Sequence, residues 1–301
     1  GFLYSGIRPL IDPFPSNVVQ NRPLLSLAKA VAIFESSQLK GIEPLLRFAE
    51  QGIRKSPPFP GQEDVLGWVY VIQTNVATLL GDHAWMIEAG QRMPKWIPHD
   101  FVTSVEALVQ IGNTAYYLGN FNQTDTCWQQ ALKLSLDSNN TYYTLDVLNA
   151  LARLCYQKGE LNRSEALFQQ AFDLLEEHRG QYPIWLGAMQ RDYSELLRER
   201  NRLDEARTLI MEAQPLLEKW HTINAVGWGY FSKARVLLAG GDLSGAHRIL
   251  DKADELDQTY TVYPDLESLV KVTRARVYLD EGKVEQARQL LETYQKSNCC
   301  L

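Results

Sequence analysis

Gly159-Glu160-Leu161-Asn162-Arg163-Ser164-Glu165-Ala166-Leu167-Phe168-Gln169-Gln170-Ala171 is the stretch that decides how this chain folds. A glycine reaches left-handed backbone at little cost and so ends one helix. The apolar residue two positions on, followed by Phe168 and Ala171 at helical spacing, starts another. The phrase returns on both sides. Gly119-Asn120-Phe121 leads to Trp128 and Ala131, and Asn201-Arg202-Leu203 to Ala206, Ile210 and Ala213. Gly241-Asp242-Leu243 leads to Ala246, Leu250 and Ala253, and Gly282-Lys283-Val284 to Ala287 and Leu291. From turn to turn the spacings are 40, 42, 40 and 41 residues. Gly81-Asp82-His83 is a weaker copy, and Ser37-Gln38-Leu39, with Leu46 and Ala49, a good one. Seven units of about 40 residues read as an array of helix pairs.

The packing logic of each unit is also visible. Seven positions before each turn stands a small or modest residue: Ala30, Thr74, Gly112, Ala152, Ser194, Ala234 and Ala275. A small residue there lets two helices cross closely, and Ala49, Ala131, Ala171, Ala213 and Ala253 do the same from the second helix. Leu46, Trp128, Phe168, Ile210 and Leu250 fill the space between. One pair cannot bury its apolar face alone, so neighbours must stack. No run of alternating apolar and polar residues marks a strand. The expected fold is all-α, a right-handed superhelix of about seven helix pairs.

The chain has 301 residues, 45% hydrophobic and 22% charged, ordinary for a folded protein. A net charge of −6 argues against holding a nucleic-acid backbone, which needs clustered Lys and Arg. Cys127, Cys155, Cys299 and Cys300 have neither disulfide-framework nor metal-ligand spacing and read as reduced thiols, which places the chain in the cytoplasm. No apolar run approaches the ~20 residues of a membrane span. Ten of the thirteen prolines lie in the first 98 residues, in Ser56-Pro57-Pro58-Phe59-Pro60-Gly61 and Met93-Pro94-Lys95-Trp96-Ile97-Pro98 among others. They break helices without interrupting the repeat. Residues 1–301 are therefore expected to form a single array: an opening segment over 1–23, repeats over 24–292 and a tail over 293–301. Lacking an initiator Met, the chain reads as a fragment of a longer protein.

The helix-pair pattern resembles the tetratricopeptide repeat (TPR), best over Gly112 to Ala131, with a period longer than that family's 34 residues. A more specific likeness starts at Ile11-Asp12-Pro13-Phe14-Pro15-Ser16-Asn17-Val18-Val19-Gln20-Asn21-Arg22-Pro23-Leu24-Leu25 and continues through Ser37-Gln38-Leu39 and Pro44-Leu45-Leu46-Arg47-Phe48-Ala49-Glu50. With Tyr193-Ser194-Glu195-Leu196-Leu197-Arg198-Glu199-Arg200-Asn201-Arg202-Leu203-Asp204-Glu205-Ala206, it resembles the helical-repeat region of large ATP-binding LuxR-family regulators of the MalT type. The likeness spans residues 8 to 292. It implies a modular transcriptional activator whose repeats sense an inducer and whose full-length form binds ATP and self-associates. This chain departs from that plan. It has no Gly-x-x-x-x-Gly-Lys-Ser/Thr, Gly282-Lys283 being followed by Val284, and no room after Leu291 for a DNA-reading domain. The expectation is a sensor arm that holds no cofactor and binds no DNA itself.

No Gly-x-Ser-x-Gly, His-Glu-x-x-His or Cys/His cluster supports catalysis, and His83, His99, His178, His221 and His247 are scattered. The chain is expected not to be an enzyme. The first helices offer a binding candidate, since in such stacks they line the concave groove. Six residues before the turns come Asn75, Asn113, Arg153, Glu195, Arg235 and Arg276; ten before, Val71, Val109, Asn149, Arg191, Phe231 and Val272; thirteen before, Trp68, Glu106, Asp146, Ala188 and Trp228. These offsets share one helix face. Asn113, Asp146, Asn149, Arg153, Arg191, Glu195, Trp228, Phe231 and Arg235 are the expected ligand-binding set, with the two rings as a stacking floor. The occupant is a small polar inducer or, for an interaction scaffold, a partner peptide or helix. The competing reading is an ion ladder between repeats. A sensor site predicts that Arg191→Ala spares stability and costs affinity; a ladder predicts the reverse.

Overall fold

Six turns close with the same hydrogen bond. The residue after each turn residue donates its backbone N–H to the carbonyl five positions back: Asp82 to Ala77, Asn120 to Ala115, Glu160 to Cys155, Arg202 to Leu197, Asp242 to Leu237 and Lys283 to Tyr278, all at 2.8–2.9 Å. That bond requires a left-handed residue at the turn. Gly159 supplies φ 75° at no steric cost, and Asn201, the one non-glycine of the six, takes φ 57°. The weak Gly81 copy has the same geometry, φ 70°. Asp82 there also caps the next helix, its carboxylate accepting from the Trp85 N–H at 2.9 Å.

In the computed structural model the described residues are 7–35, 39–93, 101–219, 223–259 and 264–298. They form sixteen helices and no strand. After the short α1 (Ile7–Ile11) and α2 (Ser16–Gln20) come seven pairs: α3 (Pro23–Glu35) and α4 (Ile42–Lys55), α5 (Gln62–Leu80) and α6 (His83–Arg92), α7 (Phe101–Tyr117) and α8 (Phe121–Asp137), α9 (Thr141–Gln157) and α10 (Leu161–Glu177), α11 (Pro183–Glu199) and α12 (Leu203–Glu218), α13 (Ile223–Ala239) and α14 (Leu243–Thr259), α15 (Pro264–Asp280) and α16 (Val284–Asn298). The fold is all-α and TPR-like. Much of the long period goes into helix length, since both α9 and α10 run 17 residues. The Ser37-Gln38 turn, the Pro94–Pro98 segment, Trp96, Trp220, His99, His221 and the Cys299-Cys300 pair lie outside the described residues. Among those described, no helix is long and apolar enough to cross a membrane.

The chain divides into two compact units, Gly1–Val147 and Leu148–Leu301, with the boundary inside α9. In the first, α5 packs on α4, α6 and α7, and Ile53, Leu66, Val69, Tyr70 and Met93 make one core cluster. In the second, α11 packs on α10, α12 and α13, and α13 on α14 and α15. Its clusters centre on Ile210, Ala213 and Leu217, and on Ala234, Leu250 and Val270. Among the described residues, the main helix contacts run between near neighbours in the chain.

The small residues sit deep between helices: Ala30, Thr74, Ala152, Ser194 and Ala234 have no exposed surface. At two crossings a hydroxyl on the second helix bonds the carbonyl of the small residue on the first. Thr124 Oγ1 donates to Gly112 O at 3.2 Å, and Ser164 Oγ to Ala152 O at 2.8 Å. A Cβ at Gly112 would lie 2.3 Å from Nε1 of the Trp128 ring. That ring is buried and its Nε1 donates to Val109 O at 3.2 Å, so it has little room to yield. Two further tryptophans, Trp85 and Trp185, are buried as well.

Two stability predictions follow from these crossings. Gly→Ala inside a helix ordinarily stabilises by about 0.5–1 kcal/mol, but Gly112→Ala lowers stability in a denaturant melt. Ala152→Leu and Ala234→Leu each cost about 1–3 kcal/mol through overpacking; midpoints equal to the parent's would put the crossing elsewhere.

Candidate functional site

Position on the first helix decides what each ladder residue can do. With about 100° per residue, the small residue seven before the turn points at the second helix. The residue ten before then lies about 60° away, six before about 100° and thirteen before about 120°. The ten-before row is accordingly buried: Val71, Val109, Asn149, Arg191 and Phe231 are all under a tenth exposed, while Val272 in the last pair is 54% exposed. The other two rows lie nearer the edge, with Trp68, Asn75, Asn113, Trp228 and Arg235 half-buried and Arg153 exposed, although Glu195 and Ala188 in them are buried.

In the second unit these rows carry a continuous polar network over α9, α11 and α13. Arg191, 7% exposed, grips its neighbour Asp192 with two hydrogen bonds of 2.6 and 2.7 Å. Arg153 on α9 reaches the same carboxylate at 4.0 Å, and Asn149 hydrogen-bonds it. Burial works to raise the Asp192 carboxyl, but the guanidiniums of Arg191 and Arg153 and the Asn149 amide outweigh it and hold the group below the usual carboxylate range. One turn on, Glu195 Oε2 accepts from Arg198 at 3.0 Å and lies 3.2 Å from Arg235 of α13. Glu199 takes Arg198 at 2.5 Å and the Tyr156 hydroxyl of α9 at 3.2 Å.

The aromatic floor is split. Trp228 stays half-buried with Arg153 6.0 Å from its ring centroid. Phe231 meets it edge-on at 5.5 Å but is itself buried in the α13–α14 core, showing Arg235 only one face at 5.2 Å. The expectation that Arg191 stands clear of the core is corrected: it is buried and ion-paired. Tyr156, Asp192, Arg198 and Glu199 complete the network although the sequence reading passed over them. Tyr156 and Arg198 each sit three before a turn, the next step along the same face, so that offset would have found them.

Asn113 and Asp146 belong to the first unit. Asn113 donates to Gln110 within α7 at 3.2 Å. Asp146 stands near Glu106 and Tyr142. Burial, then the Asp146 charge, pushes the Glu106 carboxyl up to about 7 despite a hydrogen bond from Tyr143. Burial, followed by the two carboxylates, also raises the Tyr142 phenol.

An open hollow of about 600 Å³ occurs in the second unit, lined by Gly159, Glu160, Leu161, Asn162, Arg163 and Arg200. It lies at the α9–α10 turn and includes none of the ladder residues. The polar face is therefore an open row across helices, not that hollow.

The MalT-like TPR region model matches residues 67–301. The chain belongs to this family. No curated protein matches it. Its fold is similar to that of a Rap protein complexed with competence and sporulation factor (TM-score 0.65, 12% identity, 93% of this chain and 77% of the other). It is also similar to aspartyl phosphate phosphatase F from Bacillus subtilis (0.67, 11%, 96% and 78%). NprR in complex with its cognate peptide NprX is a third (0.68, 9%, 97% and 82%). At these identities the likeness is one of fold alone. The match starts at residue 67, so of the stretches that carried the sequence likeness the opening segment lies outside it and Tyr193–Ala206 inside.

Removing one partner of a buried ion pair strands the other, so Arg191→Ala lowers stability by about 3 kcal/mol. Arg153→Ala, at an exposed guanidinium, costs about 0–1 kcal/mol. Equal effects in thermal melts would contradict the division into buried and edge rows. For Glu106, the folded pKa exceeds the ordinary 4.5, so the folded state binds more proton than the unfolded one between about 4.5 and 7. Its stabilising contribution is present below that window and lost as pH rises through it. Glu106→Gln should flatten the decline of melting temperature over this range and leave the variant more stable than the parent at pH 8.

Proposed function

We propose that this chain is the non-catalytic, partner-binding sensor arm of a MalT-type transcriptional regulator, and that it takes an extended peptide segment along the α9–α11–α13 face. The carrying observation is the polar row itself. It crosses three first helices, and two interhelical spacings of 8–10 Å make it roughly 16–20 Å long, the reach of about six residues of extended chain. Arg153 and Trp228 stand at its exposed edge and supply a cation and a ring for side chains. Family membership supports the regulator context. The Rap and NprR structures, with their bound factor and peptide, support a peptide occupant. A small polar inducer calls for an enclosed pocket with convergent groups, which the length of this row does not favour.

Selection from a displayed library of random hexapeptides tests the reading. Binders should emerge whose affinity falls at least tenfold in Trp228→Ala and Arg153→Ala, both edge positions, and is unchanged in Leu118→Ser, an exposed site on α7's turn. Failure to recover any binder, or binders indifferent to both edge substitutions, would refute it.

A further inference from the structure

The charges of the α9–α11–α13 network do not balance. Among the described residues, the guanidiniums of Arg153, Arg191, Arg198 and Arg235 meet only the carboxylates of Asp192, Glu195 and Glu199 there. The imbalance is not spread evenly. Arg191, Asp192, Glu195 and Arg198 show 9–15% of their side-chain surface and pair in twos, at 2.6 Å for Arg191–Asp192 and 3.0 Å for Arg198–Glu195. Glu199 is more open, but it takes Arg198 at 2.5 Å and the Tyr156 hydroxyl at 3.2 Å. Arg235 lies 3.2 Å from Glu195 and 3.9 Å from Glu199. Arg153 is the most exposed of the seven, at 48%, and the Asp192 carboxylate 4.0 Å away already receives two hydrogen bonds from Arg191. The surplus positive charge therefore stands at the surface, at Arg153. Farther along, Arg276 of α15 is matched by Asp280 at 3.2 Å.

Arg153 is also held in position. Its side chain leaves α9, brings Nε to Asp192 of α11 and sets Cζ 6.0 Å from the centroid of the Trp228 ring of α13. A guanidinium placed between a carboxylate and a ring has less freedom left to lose when it takes a ligand. Its planar fork matches a carboxylate, which can accept two N–H groups at once. The half-buried Trp228 ring beside it offers apolar surface to the methylenes of an acidic side chain. A basic side chain would add a fifth cation and be repelled, and a neutral one would leave the surplus charge unmatched.

We propose that Arg153, braced by Trp228, is the specificity-determining contact of this face and reads an acidic side chain, so that the partner is a segment carrying a Glu or Asp at that point. The proposal rests on the peptide reading above and adds the charge of the occupant. The test takes the tightest hexapeptides from the Trp228-dependent selection, synthesised with both ends blocked so that only side chains carry charge. Each should contain an acidic residue whose replacement by the matching amide residue weakens binding about fivefold or more. In Arg153→Gln, with a thermal melt confirming the fold, the acid and its amide should bind within about twofold of each other. Arg276→Gln, which removes an exposed arginine from α15, should leave the preference for the acid intact. Trp228-dependent hexapeptides without an acid would overturn the acidic contact and leave the peptide reading in place. So would a preference that survives Arg153→Gln, or one that Arg276→Gln abolishes equally. Recovery of no hexapeptide would overturn both.

Discussion

Each helix pair is set by how closely one small residue lets two backbones approach. At Gly112 the approach brings the Trp128 ring to where a methyl would sit, and at Ala152 the Ser164 hydroxyl bonds the carbonyl across the crossing. This contact fixes the rotation of the first helix as well as its distance. Once the small residue faces its partner helix, the rows six, ten and thirteen before the turn have no freedom left. The polar network over α9, α11 and α13 is a consequence of that rotation. An extra methyl at the crossing would turn Arg153 and Glu195 away from Asp192 and Arg235 before it exposed any core.

Much of the architecture is written in short-range terms and could be read without coordinates. The left-handed turn residues, the small residues seven before them and the fillers nine after recur at fixed spacing, because each solves the same local problem in every pair. The hydroxyl-to-carbonyl bonds of Thr124 and Ser164 were less legible. They occur at two crossings, whereas Ala206, Ala246 and Ala287 hold the same place after later turns.

The candidate site was half legible. Offsets named the right face, but a face is an arc, and its buried edge differs from its open edge by about 60° of rotation. That difference puts Phe231 in the core and leaves Trp228 half-buried, though both are aromatic residues on one helix. Arg191 pairs with the adjacent Asp192, a partner that helical spacing rules do not pick out because neighbours in sequence normally diverge around the helix. Only the burial of both side chains makes that pairing necessary.

Helices whose main contacts are with near neighbours also shape how the protein comes into being. Loop-closure entropy is small when partners are close in sequence, and chains rich in such contacts fold fast. As the chain leaves the ribosome, α11 can settle on α12 before α13 is made, and α13 on α14 before α15. Each finished pair becomes the template on which the next condenses, so synthesis and assembly proceed in the same direction and at the same pace.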